Sequence, residues 1–158
     1  MRRAFRGLSI LLLAALLAGC AALQPLPAPA ERILRKDLRW PVAGRLSSGY
    51  GPRSSGRHDG IDILAPSGTP ALAAGRGTVA YAGNGLRGYG NAVILDHGDG
   101  VETLYGHLDS IRVKSADVVS ADSVIGTVGR TGNATTDHLH FELRVDRAAV
   151  DPVEYLKR

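Results

Sequence analysis

The chain is poor in cysteine, tryptophan and methionine, with one of each among 158 residues, and aromatic residues make up only 5% of it. Because Cys20 has no second cysteine to pair with, an intrachain disulfide is excluded. A closed structural zinc site is disfavoured for the same reason, since such sites usually include cysteine ligands. The domain must therefore be stabilised by burial of apolar residues and, at most, by a metal ion bound to other side chains.

An excess of one sign of charge is also missing from the greater part of the chain. The formal net charge is +4, but Arg2, Arg3 and Arg6 all lie before Cys20. From Trp40 onward, 12 basic residues are balanced by 13 acidic residues. A nucleic-acid partner requires a basic patch on the folded domain itself. We therefore expect no binding to nucleic acid.

Long segments with the helical period of 3.6 residues are absent, and short apolar runs alternate with turns rich in glycine, asparagine and aspartate. The clearest runs lie at residues 77–81, 91–95, 101–105 and 123–128. This spacing predicts an all-β domain built as a small antiparallel sheet or sandwich. The segment His97-Gly98-Asp99-Gly100 predicts a hairpin turn in which His97 is solvated.

Three regions of the chain differ in composition. Residues 1–19 combine a basic start with an apolar run that is too short for a comfortable transmembrane helix, which is typical of a signal peptide. Residues 20–39 form a proline-containing linker, whose segment 31–39 is expected to make one or two helical turns or to stay a charged spacer. Residues 40–158 form the folded domain.

The most informative stretch is His138-Leu139-His140-Phe141-Glu142-Leu143-Arg144-Val145, in which polar and apolar residues alternate. A period of two predicts a strand with His138 and His140 on its polar face. Imidazoles so placed suit a site in which one binds a metal ion and the other transfers a proton. Alternation alone leaves open two solvated histidines on an outer sheet face, and it does not say which histidine would be the ligand.

Two earlier segments contain further candidates. His58 and Asp62 are four residues apart in an extended or looped segment, so their side chains can converge. Strand alternation places Thr103, Tyr105 and His107 on one face of another segment. Together with one histidine of the later pair, His58 and Asp62 would offer zinc two imidazoles, one carboxylate and an open position, which is the pattern of a catalytic site.

Five motifs follow one another along the chain: Ser47-Ser48-Gly49-Tyr50-Gly51-Pro52-Arg53, His58-Asp59-Gly60-Ile61-Asp62, Gly88-Tyr89-Gly90-Asn91, Tyr105-Gly106-His107-Leu108 and His138-Leu139-His140-Phe141-Glu142. In residues and order they resemble the lysostaphin/LytM-type zinc metallopeptidases, from about Trp40 to Leu156. The resemblance implies a LytM-like antiparallel β fold of the duplicated hybrid motif type with an open groove. It also implies hydrolysis of peptide bonds in the stem or cross-bridge peptides of peptidoglycan.

The resemblance assigns roles to seven positions of this sequence. They are His58, Asp62 and His140 as ligands of one Zn²⁺ ion, His107 and His138 as the catalytic pair, and Asn91 and Tyr105 near the substrate groove.

Two alternatives to an enzyme stay open at this stage. Some relatives have lost metal ligands and activate cell-wall amidases, so the chain would then be a non-catalytic wall-binding lipoprotein with an amidase or divisome-type partner. The second alternative is an unrelated secreted β-domain whose histidine cluster scavenges metal. Because every ligand and catalytic histidine that the resemblance requires is present, the enzyme is the favoured interpretation.

The segment Leu17-Ala18-Gly19-Cys20 resembles the lipobox of bacterial lipoproteins. The resemblance implies cleavage before Cys20 and acylation of its thiol, which would anchor the protein to a membrane of the cell envelope. Ala21 follows where aspartate would retain a lipoprotein in the inner membrane, so the periplasmic face of the outer membrane is expected if the host is Gram-negative. An ordinary secretory signal is the alternative.

Overall fold

A computed structural model describes residues 27–54 and 56–157 of the protein. The predicted signal peptide, Cys20 and the first part of the linker lie outside these residues. In the part of the chain that is described, no helix is long and apolar enough to cross a membrane. The elements, in chain order, are α1 (Pro29–Leu34), β1 (Arg45–Ser48), β2 (Gly51–Arg53), β3 (Gly56–His58), β4 (Ile61–Leu64), β5 (Pro70–Leu72), β6 (Gly77–Gly83), β7 (Asn91–Asp96), β8 (Val101–Ile111), β9 (Val118–Val119), β10 (Val124–Val128), β11 (His138–Val145), β12 (Ala148–Val150) and a 3₁₀ helix (Pro152–Glu154).

Ten of these strands form one sheet in which neighbouring strands run antiparallel. Its order is β1-β4-β11-β8-β7-β6-β9, while β12 pairs with β11, and β10 pairs with both β8 and β5. Strands β2 and β3 form a separate hairpin. Strands make up 48% of the structure and helices 7%. The prediction of a mainly antiparallel all-β domain is therefore confirmed.

The apolar side chains of the two strands that carry the candidate ligands form the centre of the core. Leu139 lies opposite Ile63 and Phe141 opposite Ile61 where β11 pairs with β4, and all four residues are fully buried. Tyr105 of β8 packs edge-on against Phe141, with 5.3 Å between ring centroids. Since side chains alternate along a strand, this packing turns the polar residues of β4 and β11 to the opposite face.

The segment expected to be a linker is partly folded onto the domain. Residues 29–34 form helix α1, and Ile33 and Leu38 are each only 1% exposed and belong to the core. The Arg32 side chain, 3% exposed, forms an ion pair with Asp146 at 2.5 Å. The packed unit therefore begins before Trp40, and the helical alternative for this segment is the one that the structure adopts.

Helix α1 packs at one end of the sheet. Arg32 donates to Asp146, which follows the last residue of β11, and to the backbone carbonyl of Asp99 between β7 and β8. His138 and His140 lie at the other end of β11, about 17 Å or more from Val145 at 3.4 Å per residue. The helix and the candidate site are therefore at opposite ends of the same strand.

We expect Leu38→Ala to lower the free energy of unfolding by about 2–5 kcal/mol, because it deletes a fully packed side chain and leaves a cavity. Leu34→Ala makes the same chemical change at a position that is 58% exposed and should cost about 0.5 kcal/mol or less. Urea denaturation of both variants measures the difference. Equal midpoints would mean that residues 29–39 do not pack on the domain in solution.

Candidate metal centre

Strand pairing brings the His58–Asp62 segment against the beginning of β11, the strand that carries His138 and His140. Asp62 of β4 lies directly opposite His140 of β11, and His58 ends the neighbouring strand β3. His58 Nε2 lies 3.1 Å from Asp62 Oδ1, His140 Nδ1 lies 2.9 Å from the same oxygen, and the two nitrogens are 3.1 Å apart. Three potential ligand atoms thus converge on one point.

The three atoms fit a zinc ion. A tetrahedral Zn²⁺ with bonds of about 2.0–2.1 Å keeps its ligand atoms about 3.3 Å apart. The observed separations of 2.9–3.1 Å are slightly shorter, so His58, Asp62 and His140 would need to move apart by only about 0.3 Å. Two imidazole nitrogens and one carboxylate oxygen are a donor set that zinc prefers, and the open cavity beside them leaves room for a fourth ligand.

Contacts at Nδ1, the ring nitrogen that does not face Asp62, fix the orientation of His58. Its Nδ1 lies 2.7 Å from the carbonyl oxygen of Gly49, and Arg53 Nη2 lies 2.5 Å from the same nitrogen. These contacts compete, because a guanidinium only donates and a carbonyl only accepts. We assign the proton to Nδ1, donating to Gly49, since that tautomer leaves the Nε2 lone pair facing Asp62 and a metal ion.

Asp62 divides its two oxygens between different tasks. Oδ1 faces the two imidazoles, while Oδ2 accepts a hydrogen bond from Arg53 at 2.9 Å. Burial of the Asp62 carboxyl raises its pKa, but in the metal-free protein hydrogen bonds from His140 and His58, when those imidazoles are protonated, and from Arg53 outweigh burial and hold the pKa well below its usual range. The carboxylate is therefore ionised and available as a ligand at neutral pH.

Glu142, a fully buried carboxylate on the same face of β11, holds His140 in place. His140 Nε2 donates to Glu142 at 2.9 Å, and the hydroxyl of Tyr89 donates to the same oxygen at 2.6 Å. Arg144 pairs with the second oxygen at 2.6 Å. Burial raises the pKa of Glu142, but these hydrogen bonds outweigh burial and hold the pKa below its usual value, so the carboxylate stays charged. A charged acceptor on Nε2 leaves Nδ1 of His140 as the nitrogen for the metal.

We expect Glu142→Gln to weaken zinc binding about 10- to 100-fold, because an amide orients the ligand His140 less strongly than a carboxylate. Isothermal titration of the metal-free protein with Zn²⁺ measures the affinity. Glu154→Gln, which changes an exposed glutamate on the 3₁₀ helix, serves as the control. An affinity in Glu142→Gln equal to that of the control would remove Glu142 from the support of the site.

The two remaining histidines of the motifs lie beside the three ligand candidates. The ring centroid of His107 is 4.7 Å from that of His138 and 5.7 Å from that of His140. Nδ1 of His107 donates to the carbonyl of Thr131 at 2.8 Å, and Nδ1 of His138 donates to the carbonyl of Thr136 at 2.9 Å. Neither backbone contact uses Nε2, and Nε2 of His138 is 3.6 Å from Asp62 Oδ1.

The charge state of His107 follows from its burial. Burial lowers the pKa of His107 to about 4, although the hydrogen bond to the Thr131 carbonyl acts in the opposite direction. His107 is consequently neutral at pH 7, with an unprotonated Nε2. A neutral imidazole in this position can accept a proton and pass it on.

Tyr105 does not lie at the groove, which corrects the assignment made by resemblance. Its side chain is fully buried, its hydroxyl accepts a hydrogen bond from the backbone amide of Ala74 at 2.8 Å, and burial raises its pKa to about 12. The expected common face of Tyr105 and His107 is also wrong. Tyr105 faces the core and Gly106 faces His140, as alternation requires, but His107 has a φ of +61°. This left-handed backbone breaks the alternation at His107, whose ring lies on the same side as His140.

Asn91 and His97 also occupy other places than expected. The side-chain amide of Asn91 donates to the backbone carbonyl of Asp109 at 3.0 Å, and Asn91 is not among the described residues that line the cavity. His97 is 9% exposed instead of solvated, with its two ring nitrogens bonded to the carbonyl of Arg76 and the hydroxyl of Thr103 at 2.8 Å each. Asn91 braces a strand end, and His97 is part of the core.

The cavity beside the ligand candidates measures about 450 Å³ and opens to solvent. Tyr89 and Glu142 line it, although sequence reasoning gave neither a role. A signal for both was present: Glu142 shares the polar face of the alternating strand with His138 and His140, and Tyr89 lies within the Gly88-Tyr89-Gly90-Asn91 motif. Arg53, Arg57 and Arg87 also line the cavity without a predicted role, although Arg53 lies within the first of the five motifs.

Comparisons with known proteins identify the family. Residues 56–152 match the family model of peptidase family M23. The uncharacterized lipoprotein YgeR of Escherichia coli strain K12 is 43% identical over 117 residues, covering 74% of this chain and 46% of YgeR. The murein hydrolase activator NlpD of the same strain is 42% identical over 118 residues, covering 75% of this chain and 31% of NlpD. The chain thus matches less than half the length of these relatives.

The solved structures include a peptidase with the same fold. The catalytic domain of the antimicrobial peptidase lysostaphin from Staphylococcus simulans superposes with a TM-score of 0.68 at 36% sequence identity, covering 73% of this chain and 93% of that domain. The resemblance found in the motifs is therefore confirmed over the whole β domain. The matched residues include His58, Asp62, His107, His138 and His140. The chain belongs to peptidase family M23.

Proposed function

We propose that the protein is a zinc-dependent endopeptidase that hydrolyses peptide bonds in the stem or cross-bridge peptides of peptidoglycan during remodelling of the cell wall. The proposal depends above all on one observation, which is that three ligand candidates and two further histidines converge at one open cavity. Membership of a peptidase family supports hydrolysis, and the name of NlpD links a relative to murein.

His58, Asp62 and His140 would hold the ion and leave one coordination position free. A zinc ion bound there would polarise the scissile carbonyl and increase the acidity of a water molecule. Because Nδ1 of His107 and of His138 each contacts a backbone carbonyl, Nε2 is the nitrogen that each can offer to the cavity, so one of them would take the proton of the attacking water and return it to the leaving amine. The buried Glu142 would act only by orienting His140.

Digestion of purified peptidoglycan tests this proposal. Full-length protein in detergent, loaded with zinc, is incubated with sacculi in the presence and absence of a chelator, and the released fragments are identified by mass spectrometry. We expect chelator-sensitive release of fragments cut within the peptides, and the new termini identify the cleaved bond. A folded, zinc-loaded protein that releases nothing would count against an autonomous enzyme.

Activation of an amidase is the second candidate function, and the similarity to NlpD, a murein hydrolase activator, favours it. In that case the domain would bind a cell-wall amidase and release no peptide by itself. Adding a purified amidase to the same digestion separates the two functions, because cuts between glycan and peptide would then increase while cuts within peptides stay absent. Asp62→Ala should leave such activation intact if the domain activates the amidase by binding it, without catalysis at the metal centre.

We also propose that the protein is anchored in the cell envelope through acylated Cys20. The match to a lipoprotein, YgeR, supports this location. Helix α1 supports it too, since it packs at the end of the sheet away from the candidate metal centre. Cys20→Ser should abolish incorporation of labelled fatty acid and move the protein from the membrane fraction to the periplasmic fraction.

A further inference from the structure

Charged side chains around the candidate metal centre are almost all paired with one another. The pairs are Arg53–Asp62 at 2.9 Å, Arg57–Asp59 at 3.2 Å and Arg144–Glu142 at 2.6 Å. Arg87 also lines the cavity and is exposed, and among the described residues its side chain has no ion pair and no side-chain hydrogen bond. The cavity therefore contains one guanidinium whose charge is not balanced by the protein.

The charge of the loaded site would be positive. Asp59, Asp62 and Glu142 are each offset by an arginine, so a bound divalent cation and Arg87 would remain in excess. A cavity with low-dielectric walls and an excess of one sign of charge concentrates ligands of the opposite sign. A peptide with a carboxylate near the scissile bond fits this cavity better than a neutral peptide does.

The turn that carries Arg87 is held rigidly. The amide of Tyr89 donates to the carbonyl of Leu86 at 3.2 Å and so closes the turn, while the carbonyl of Tyr89 accepts from the amide of His107 at 2.7 Å. The carbonyl of Gly88 accepts from the amide of Asn133 at 2.9 Å, which joins the turn to the loop after β10. Arg87 is therefore presented from a fixed backbone instead of a free loop.

Two glycines make this junction possible. Gly90 and Gly132 both have positive φ, at +63° and +67°. A Cβ on Gly132 would lie 2.4 Å from both the carbonyl oxygen of Gly88 and the amide nitrogen of Gly90. The two backbones could not approach so closely with any other residue there. The junction thus holds the backbone of the turn that follows Arg87 against the loop after β10.

Arg87 lines the same cavity as the three ligand candidates. It precedes Tyr89 by two positions, and the ring centroid of Tyr89 is 5.5 Å from that of His140. A planar guanidinium forms paired hydrogen bonds with a carboxylate. Building on the endopeptidase proposed above, we infer that Arg87 binds a substrate carboxylate beside the scissile bond, which makes acidic stem peptides the preferred substrate class over neutral cross-bridges.

Matched substrates test the inference. The probes are cross-linked stem-peptide fragments with a free carboxylate next to the cross-link, and the same fragments with that carboxylate amidated. For the zinc-loaded full-length protein, we expect kcat/KM to be about tenfold higher for the acidic fragment, with the difference in KM. In Arg87→Gln this ratio should fall to about one, and in Arg87→Glu it should invert. An unchanged ratio in both variants would overturn the inference.

The control is Arg76→Gln, which removes the same charge from an exposed arginine at the far end of β6 and β7 and should retain the tenfold preference. Dissociation constants of the two fragments, measured with the zinc-loaded His107→Ala protein, separate this inference from the enzymatic proposal. An Arg87-dependent preference in binding without hydrolysis by the native protein would overturn the endopeptidase and retain the carboxylate site. Hydrolysis by the native protein without any preference for the acidic fragment would overturn the carboxylate site and retain the endopeptidase.

Discussion

Protein carrying Asp62→Ala is expected to bind zinc at least about tenfold more weakly than the unaltered protein and to release no peptide from peptidoglycan. Asp62 Oδ1 is the atom that the ligand histidines share, at 3.1 Å from His58 Nε2 and 2.9 Å from His140 Nδ1. Its removal would leave two imidazoles without the only carboxylate among the predicted ligands. Metal content by mass spectrometry and digestion of sacculi measure the two effects, and His58→Ala should behave in the same way.

Asp109→Ala is the matched control for that variant. Asp109 is exposed, and its carboxylate makes no side-chain hydrogen bond among the described residues. We expect it to keep both zinc and turnover. Full zinc occupancy in Asp62→Ala and in His58→Ala would refute the assignment of the ligands, whatever the activity of the two proteins.

His107→Ala should have the opposite signature, with zinc retained and turnover reduced by about 10²–10⁴-fold. His107 is not part of the three-atom cluster, and its lowered pKa of about 4 keeps it neutral at pH 7, the form that a group accepting a proton must have. The measurement is kcat on a cross-linked peptide fragment at equal metal content. Unchanged turnover would exclude His107 from proton transfer.

The histidine outside the site supplies the comparison. His97 is buried and hydrogen-bonded to Thr103 and to the backbone of Arg76, so His97→Ala should lower the stability of the protein without changing turnover per folded molecule. Thermal unfolding of both variants distinguishes a loss of chemistry from a loss of fold. If His107→Ala also lost its activity only through unfolding, its melting temperature would fall as far as that of His97→Ala.

The ligand strand could be predicted from sequence because β11 obeys a local rule. Alternation from His138 onward separates a polar face from a core face, and the structure has the same separation. Alternation does not predict the pairing of His140 with Asp62, which lies 78 residues earlier in the chain. Only the register of β4 against β11 sets that contact, and a register between distant strands is not encoded in either segment alone.

The errors have a physical reason too. Alternation placed His107 on the same face as Tyr105 because it assumed extended backbone throughout β8, whereas His107 adopts a left-handed conformation. His97 was expected to be solvated because it stands next to a turn, yet Thr103 and the backbone of Arg76 cover it from other parts of the chain. Burial of this kind depends on neighbours brought together by the fold, which local composition does not reveal.

Helix α1 has a consequence for how far the domain can travel. A free linker from Cys20 to Trp40 would span at most about 65–70 Å. With residues 29–39 packed onto the sheet, only the chain from Cys20 to Pro29 remains as tether, and it spans at most about 30 Å. Because α1 lies at the end of β11 away from His138 and His140, a lipid on Cys20 would attach the domain to the membrane from the end that does not carry the cavity. Such a protein would reach only the part of the cell wall that lies close to its membrane.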